Sequence, residues 1–352
     1  MSNFERKRLE EILSFLPNVK IAVFGDFFLD RYFVLDSDLT EVSIETGLPA
    51  YQVIDRRLSP GAAGSVVNNL TSLGIGSVQC IGVIGDDGEG YELKRALHRI
   101  NAFTEHLIQF DECYTPCYTK PMLMTAGIEK EIERIDIKNR RLLTYEAESD
   151  LILMLETVIN EVDGVIISDQ VQERNCGVVT DRVREAIAEI AEKHSDKPFL
   201  VDSRTRIGEF RNVMAKPNVF ETLDAVSGDT RPDKKTISAD DINIKYACDC
   251  GRQLAATIGR PIFMTAQQNG IYIFGNSEIR VPGFPVDGEI DPVGAGDSCA
   301  AGIVSALCAG ANLEEAATFG NLVASVTVQK IGQTGNATPS ELLARYDECF
   351  NR

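Results

Sequence analysis

Five short apolar runs recur along the chain, and each closes on a turn or a polar side chain: KIAVFGD (20–26), SVQCIGVIGDD (77–87), DGVIISDQ (163–170), KPFLVDSR (197–204) and PIFMTAQ (261–267). Runs of this length and composition are strands buried on both faces. Helix-length segments such as 146–161 and 177–194 lie between them. Strand, helix, strand, helix leaves few options. The chain is expected to form an α/β fold, a doubly wound, mostly parallel sheet with helices on both faces. Such sheets bind ligands beyond the carboxyl ends of their strands. The polar residues just after the runs are therefore the first site candidates: Asp26, Asp86, Asp169, Asp202, Asn218 and Glu221.

Two segments break the alternation. Residues 32–58 and 112–136 carry short alternating stretches, PAYQVID and CYTKPMLM, with no helix between. They read as antiparallel strands set apart from the main sheet, either a lid over the site or an extension of the sheet. No internal repeat or low-complexity linker interrupts the chain, so 1–352 is expected to be one domain with the lid strands inserted in it.

Charge and composition exclude several function classes. The net charge is −18 and no dense Lys/Arg run is present, which argues against nucleic-acid binding. No stretch reaches the roughly 18 apolar residues of a membrane span. The first twenty residues read as a charged amphipathic helix rather than a targeting signal, and a cytoplasmic location is expected. The nine cysteines lack metal-ligand spacing and read as reduced thiols. The three histidines, His98, His106 and His194, have no Gly-rich neighbours. If the chain is an enzyme, its general base is then a carboxylate.

DPVGAGDSCAAGIVSALCAG (291–310) places two glycines and two acids at the mouth of a helix that is apolar all round. Gly294, Ala295 and Gly296 let the backbone approach a ligand and aim successive N–H groups at it. A helix starting near Asp297 adds unpaired N–H groups and a positive dipole end, and the two together form an anion hole. Asp297 beside a bound anion needs a task other than binding it. Proton removal from a hydroxyl nucleophile fits, which makes the chemistry phosphoryl transfer to an alcohol. A glycine turn with an aspartate cap remains the alternative for this stretch alone. KPNVFE (216–221) puts Asn218 and Glu221 three apart, oxygen donors suited to Mg²⁺ or its waters. SPGAAGSVVNNLTSLG (59–74) is a small-residue turn opening a helix. GDFFLD (25–30) sets Asp26 and Asp30 where carboxylates accept from sugar hydroxyls.

These segments resemble the ribokinase-like (phosphofructokinase-B) carbohydrate kinase family over about 20–340. DPVGAGDS resembles its D-T-x-G-A-G-D signature, NVFE its N-x-x-E motif, MTAQQNG (264–270) the strand-turn before the signature, and FGNLVASVTVQKIGQTGN its nucleotide-side helix and loop. Within the family, FGDFFLDRYF, SIETGLPAYQV, PCYTKPMLM…ERID and SDQ resemble the heptose-7-phosphate kinase branch. The resemblance implies ATP-dependent transfer of the γ-phosphoryl group to a sugar or sugar-phosphate hydroxyl, with Mg²⁺. Asp297 would be the base and Gly294, Ala295 and Gly296 the anion hole. Asn218, Glu221, Thr265, Gly270, Thr318 and Asn321 would lie by the nucleotide and metal. Asp26, Asp30, Gly61, Ser65 and Asn69 would face the acceptor. Lys120 and Arg134, with Arg31, would meet a second phosphate on it, or else be solvated charges. Asp291 would help hold a monovalent cation such as K⁺ by a backbone oxygen, or cap a turn. A homodimer through the lid strands is the family-level expectation, and no appended nucleotidyltransferase is expected in 352 residues.

The departures fall mainly on the acceptor side. The branch's G-G-A-A-N-V-A reads GAAGSVV, with Ala62 and Ser65 replacing Gly and Asn; its S-D-Y-x-K-G loop reads SDQVQERNCG; Pro becomes Ile44, and the signature's Thr is Pro292. A fructose-, ribose- or nucleoside-type kinase and a non-catalytic nucleotide-binding regulator are the rival readings. A dinucleotide-dependent dehydrogenase lacks its early glycine fingerprint here.

Overall fold

Residues 4–125, 127–228, 244–332 and 335–350 are described by a computed structural model. In chain order the strands are β1 (Lys20–Gly25), β2 (Phe27–Val42), β3 (Pro49–Ala62), β4 (Ser77–Gly85), β5 (Phe103–Phe110), β6 (Cys117–Thr125), β7 (Ile128–Glu131), β8 (Ile135–Ile137), β9 (Gly164–Asp169), β10 (Phe199–Ser203), β11 (Met214–Ala215), β12 (Ile262–Thr265), β13 (Ile271–Phe274) and β14 (Glu278–Val281). The helices are α1 (Arg6–Phe15), α2 (Ala63–Ser72), α3 (Gly88–Arg99), α4 (Tyr145–Val158), α5 (Asp181–Lys193), α6 (Val219–Ser227), α7 (Ile244–Ile258), α8 (Ala295–Cys308), α9 (Leu313–Thr327) and α10 (Pro339–Phe350).

The five apolar runs become β1, β4, β9, β10 and β12 because both of their faces are covered. On β1, Ile21 and Val23 belong to one core cluster with side chains of α1, α2, α8, α9 and α10, while Ala22 and Phe24 belong to another with those of α4, α5 and α7. Each buried Val, Ile or Phe contributes about 1.5–3 kcal/mol relative to exposure, which fixes the register of the sheet. The order is β14-β13-β12-β11-β10-β9-β1-β4-β5, parallel from β5 to β12 and antiparallel at β13 and β14. The chain leaves β1 toward β4 and later returns to its other side as β9. That reversal opens a crevice at the carboxyl ends of β1 and β9. Gly25 makes the close pairing there: at φ +150° a β-carbon would lie 2.1 Å from the Ser168 carbonyl oxygen.

The two segments without helices form a second sheet, β3-β2-β6-β7, with β8 on β6. It departs from the sequence expectation in two ways. β2 and β6 run parallel, with Leu29 opposite Cys117, while β2–β3, β6–β7 and β6–β8 are antiparallel. Alternation within a segment says nothing of partners separated by α2, β4, α3 and β5, so the parallel pairing is invisible locally. The strands are also longer than 32–58, since β2 continues from β1 through Asp26 and β3 runs straight into α2. Helices α4 and α5 are shorter than 146–161 and 177–194. Thr144 and Thr180 cap them by accepting from the N–H of Ala147 and Val183, and residues 177–180 belong to the preceding loop.

Candidate active site

A cavity of about 380 Å³ opens at the crevice between β1 and β9, walled by the second sheet. Its lining joins residues far apart in sequence: Asp30 and Phe28 from β2, Ala62 and Ser65 around the start of α2, Tyr118 and Lys120 from β6, Arg134 and Lys138 beside β8, the Gln170–Glu173 loop after β9, Arg204 after β10, and Gly294 and Asp297 at α8.

Asp297 stands at this cavity because Gly294, in the left-handed region at φ +79°, turns the chain into α8. The helix begins at Ala295, two residues earlier than the sequence placed it, so Ala295 and Gly296 form its first turn rather than a loop before it. The Ala295 N–H donates to the Pro292 carbonyl at 3.1 Å and the Ser298 N–H to the Gly294 carbonyl at 3.0 Å. The N–H groups of Gly296 and Asp297 belong to the first turn, where a helix has no carbonyl of its own to offer, and the positive end of the helix dipole lies there. Burial, and next the carboxylate of Asp202, raise Asp297 to a pKa of about 7; Lys216 and Arg204 act in the opposite sense. Such a carboxylate is poised to take a proton at neutral pH.

Beneath the first turn of α8 lies a buried ion pair, Lys216 Nζ to Asp202 Oδ2 at 2.9 Å. A β-carbon on Gly296 would sit 3.4 Å from Lys216 Nζ. Burial opposes the charge on Lys216, but Asp202, Cys299 and Glu221 together more than offset this, so Lys216 holds its proton more tightly than free lysine. The same pair reaches Glu221, whose carboxyl is raised to about 7 by burial and then by Asp202. Asn218 and Glu221 also close the start of α6: Asn218 Oδ1 accepts from the Glu221 N–H at 2.9 Å, and Glu221 Oε2 accepts from the Asn218 N–H at 2.8 Å. They therefore share the same side of α8 while committed in part to a helix cap.

Elsewhere on the cavity wall, burial raises the pKa of Asp30, with Lys120 and Arg134 opposing. Gly61 lies against it, its β-carbon position 2.7 Å from Asp30 Oδ2. Lys120 stands 5.0 Å over the Tyr32 ring. Arg134 makes a bidentate pair with Asp136, both distances 2.8 Å, and lies 4.7 Å over Tyr118. Ser65 lines the cavity beside Ala62.

Several sequence candidates are placed elsewhere. Asp26 does not face the cavity. It is buried, and both carboxylate oxygens accept from backbone N–H groups, those of Gln170, Val171 and Val178. Asn69 is wholly buried within α2 and donates to the Ser65 carbonyl. Arg31 pairs with Glu89 at 2.9 Å. Thr265 pairs with the Pro217–Asn218 edge, its N–H donating to the Pro217 carbonyl. Gly270 turns β12 into β13 against Val281, and Asn321 donates to the carbonyls of Val281 and Pro282. Thr318 donates to the Glu314 carbonyl of its own helix. The carboxylate of Asp291 caps a turn, accepting from the N–H groups of Val293 and Gly332. The nucleotide-side loop resembling the family includes 333–334, outside the described residues.

Sequence reasoning passed over Lys216, Asp202's pairing with it, Lys138 and Arg204. Two had a usable signal: Lys216 opens KPNVFE, and Arg204 ends KPFLVDSR, both on the carboxyl edge of the sheet. Lys138 had none.

A family model described as pfkB family carbohydrate kinase matches residues 20–340. The bifunctional protein HldE of Trichlorobacter lovleyi is 29% identical over 351 residues, 97% of this chain and 65% of that protein; the protein of the same name from Aliarcobacter butzleri is 32% identical over 344 residues, covering 97% and 66%. The chain thus spans just under two thirds of the length of these relatives. Among solved structures, Arabidopsis thaliana ribokinase complexed with ribose and ATP aligns with a TM-score of 0.65 at 14% identity, over 93% of this chain and 98% of that one. Escherichia coli phosphofructokinase-2 in complex with substrates and products aligns with a TM-score of 0.65 at 19% identity, over 95% and 100%. The fold is ribokinase-like.

Proposed function

This chain belongs to the pfkB family of carbohydrate kinases, and from that premise we propose that it transfers the γ-phosphoryl group of ATP to a hydroxyl of a sugar phosphate of the heptose 7-phosphate class, with Asp297 as general base. The observation that carries the acceptor class is charge. In a chain of net charge −18, the cavity holding Asp297 is lined by four cations, Lys120, Arg134, Lys138 and Arg204, against three acids, Asp30, Glu173 and Asp297. A neutral sugar has no use for them; a phosphorylated one does. The similarity to proteins named HldE supports the heptose branch.

In this reading Asp30, Gly61 and Ser65 contact acceptor hydroxyls, and Asp297 removes the proton of the attacking one. The N–H groups of Gly296 and Asp297 bind the group in flight, with Lys216 adding positive charge below them. Thr265, Gly270, Thr318 and Asn321 belong to the nucleotide side, two of them through the turn against Val281. Mg²⁺ fits as an ion carried in with the phosphates. No cluster of three or more His, Cys, Asp or Glu able to hold a metal occurs among the described residues. Glu221 spends one oxygen on its helix cap and stands with Asp202 as an oxygen donor toward metal-bound water. Mg²⁺ would there neutralise phosphate charge. Asp291 would serve K⁺ only through its backbone oxygen, its carboxylate being occupied.

We further propose one kinase domain with the second sheet as lid, and a homodimer through that lid. Val42, Ile44 and Leu48 at its far end are 70%, 103% and 65% exposed, an apolar edge that a second copy would cover. Buried thiols at Cys80, Cys117, Cys248, Cys250 and Cys299 support a reducing, cytoplasmic setting. The deciding experiment is Mg·ATP turnover on a panel of heptose 7-phosphate, fructose, fructose phosphates, ribose and nucleosides. Preference for heptose 7-phosphate is expected. Preference for an unphosphorylated sugar would overturn the acceptor class, and ATP binding without turnover on any member would overturn the kinase activity of this chain.

A further inference from the structure

The loop after β9 carries four cavity-lining residues in a row, Gln170, Val171, Gln172 and Glu173. A surface loop normally satisfies its backbone with water or with itself. This one is held by two buried charged side chains from outside it. Asp26, between β1 and β2, takes the N–H groups: Oδ2 accepts from Gln170 at 2.7 Å and Val171 at 2.9 Å, and Oδ1 from Val178, at the loop's far end, at 2.7 Å. Arg206, after β10, takes the carbonyls: it donates to the Gln172 oxygen at 3.0 Å and, in a shorter contact, to that of Val171. Arg206 is itself fixed by Asp169 at 2.9 Å, and Asp169 accepts from the Ser203 hydroxyl at 2.6 Å. Room for the carboxylate depends on Gly177, whose β-carbon would come within 2.7 Å of Asp26 Oδ1.

We propose that Asp26 and Arg206 are positioning residues that clamp the Gln170–Glu173 loop from opposite backbone polarities, so that Gln172 and Glu173 meet the acceptor from a fixed wall. Neither charge lines the cavity: the bonds of the Asp26 carboxylate run to the loop, and those of Arg206 run to the loop and to Asp169. The division of labour is chemical. A carboxylate accepts only and a guanidinium donates only, so one side chain collects N–H groups and the other carbonyls, and the two cannot exchange roles. Charge-assisted bonds of this kind are the strong ones. The role in acceptor binding rests on the function proposed above; the clamp itself does not.

Two variants and two readouts test it. Asp26→Asn turns an NH₂ toward at least one backbone N–H. Arg206→Lys keeps the charge against Asp169 but loses the fork that spans two carbonyls. Hydrogen exchange of the peptide covering 168–180 is compared with that of peptides from β4 and α8. Turnover is measured with ATP and the best acceptor of the panel. Both variants are expected to exchange faster in 168–180 only. Their acceptor KM should rise about tenfold or more, with the KM for ATP within about twofold of wild type. Unchanged exchange in 168–180 in both folded variants would overturn the clamp. Faster exchange with an unchanged acceptor KM, or parallel changes in both KM values, would overturn the positioning role. If no acceptor in the panel is turned over, the proposed function fails, while exchange still decides the clamp.

Discussion

Replacing Asp297 by Asn separates chemistry from folding at one atom. The raised pKa of about 7, against an ordinary 3.8, means the folded chain resists ionising this carboxyl. Taken whole, that rise is about 4 kcal/mol. Asp297 keeps part of its surface open to the cavity, where water screens the charge, so the realisable share is about 1–2 kcal/mol. The amide never ionises and escapes this cost. At 2.1 cal/mol/K per residue over a chain of this length, Asp297→Asn should melt about 1–3 °C higher near neutral pH. The same change removes the proton acceptor, which should lower turnover by about 10²–10⁴-fold. ATP binding should change little, because the amide leaves the Gly296 and Asp297 N–H groups in place. Differential scanning calorimetry, titration calorimetry with Mg·ATP, and coupled turnover assays with the panel's best acceptor read the three quantities. Turnover within a few-fold of wild type would refute the base. A lower melting temperature would refute the account of a destabilising buried charge.

The same buried acids govern stability against pH. Asp26 is raised to about 6, and Glu221 and Asp297 to about 7, so the ligand-free fold binds protons more tightly than the unfolded chain between about pH 4 and 7. Their contribution falls as pH rises through that window and levels off above it. Urea midpoints should be higher at about pH 5 than at about pH 8, and equal or reversed midpoints would contradict the sign. Ala62 adopts φ +54°, ψ −119° at the start of α2, a region that favours glycine; Ala62→Gly should stabilise by about 1 kcal/mol net of added chain entropy, and a lower denaturant midpoint would remove the strain. Ile44→Asp at the lid tip should convert a dimer to monomer by light scattering at about 10 μM, and an unchanged mass would place any dimer contact elsewhere.

The main sheet was legible because its strands are buried on both faces. Continuous runs such as KIAVFGD and DGVIISDQ leave the periodicity argument little room. The site's centre was legible for a related reason: the carboxyl edge of such a sheet is where ligands bind, and GAGD needs a special turn. What failed to show were pairings between distant residues. The sequence offers Asp26 and Asp30 as equals four residues apart. One strand exit separates them: Asp26 lies at the pinch between β1 and β9, where only backbone N–H groups are within reach, and Asp30 two strand pairs farther along β2, opposite Tyr118. Lys216, passed over in the sequence, gains its place only when β11 sets it under α8. Asn218 and Glu221 show a different limit. A spacing of three suits a metal-water pair and a capping box equally, and the structure shows the cap.

The acceptor-side departures in sequence are not all departures in shape. Ala62 stands where the resembled pattern has glycine, yet the backbone still takes a conformation that costs alanine about 1–3 kcal/mol. Something must enforce it. The Ala63 N–H donates to the Asp26 carbonyl at 3.0 Å, and Ala62 pairs with Phe27 across the β2–β3 ladder. The path into α2 is thus dictated from the β1 exit rather than by local preference. The loop after β9 is held from the same place, by the same residue's carboxylate. One aspartate therefore holds two walls of the cavity, α2 by its carbonyl and the loop by its side chain, without lining the cavity itself. Side chains on both walls can therefore differ while the backbones that carry them keep their places around Asp297.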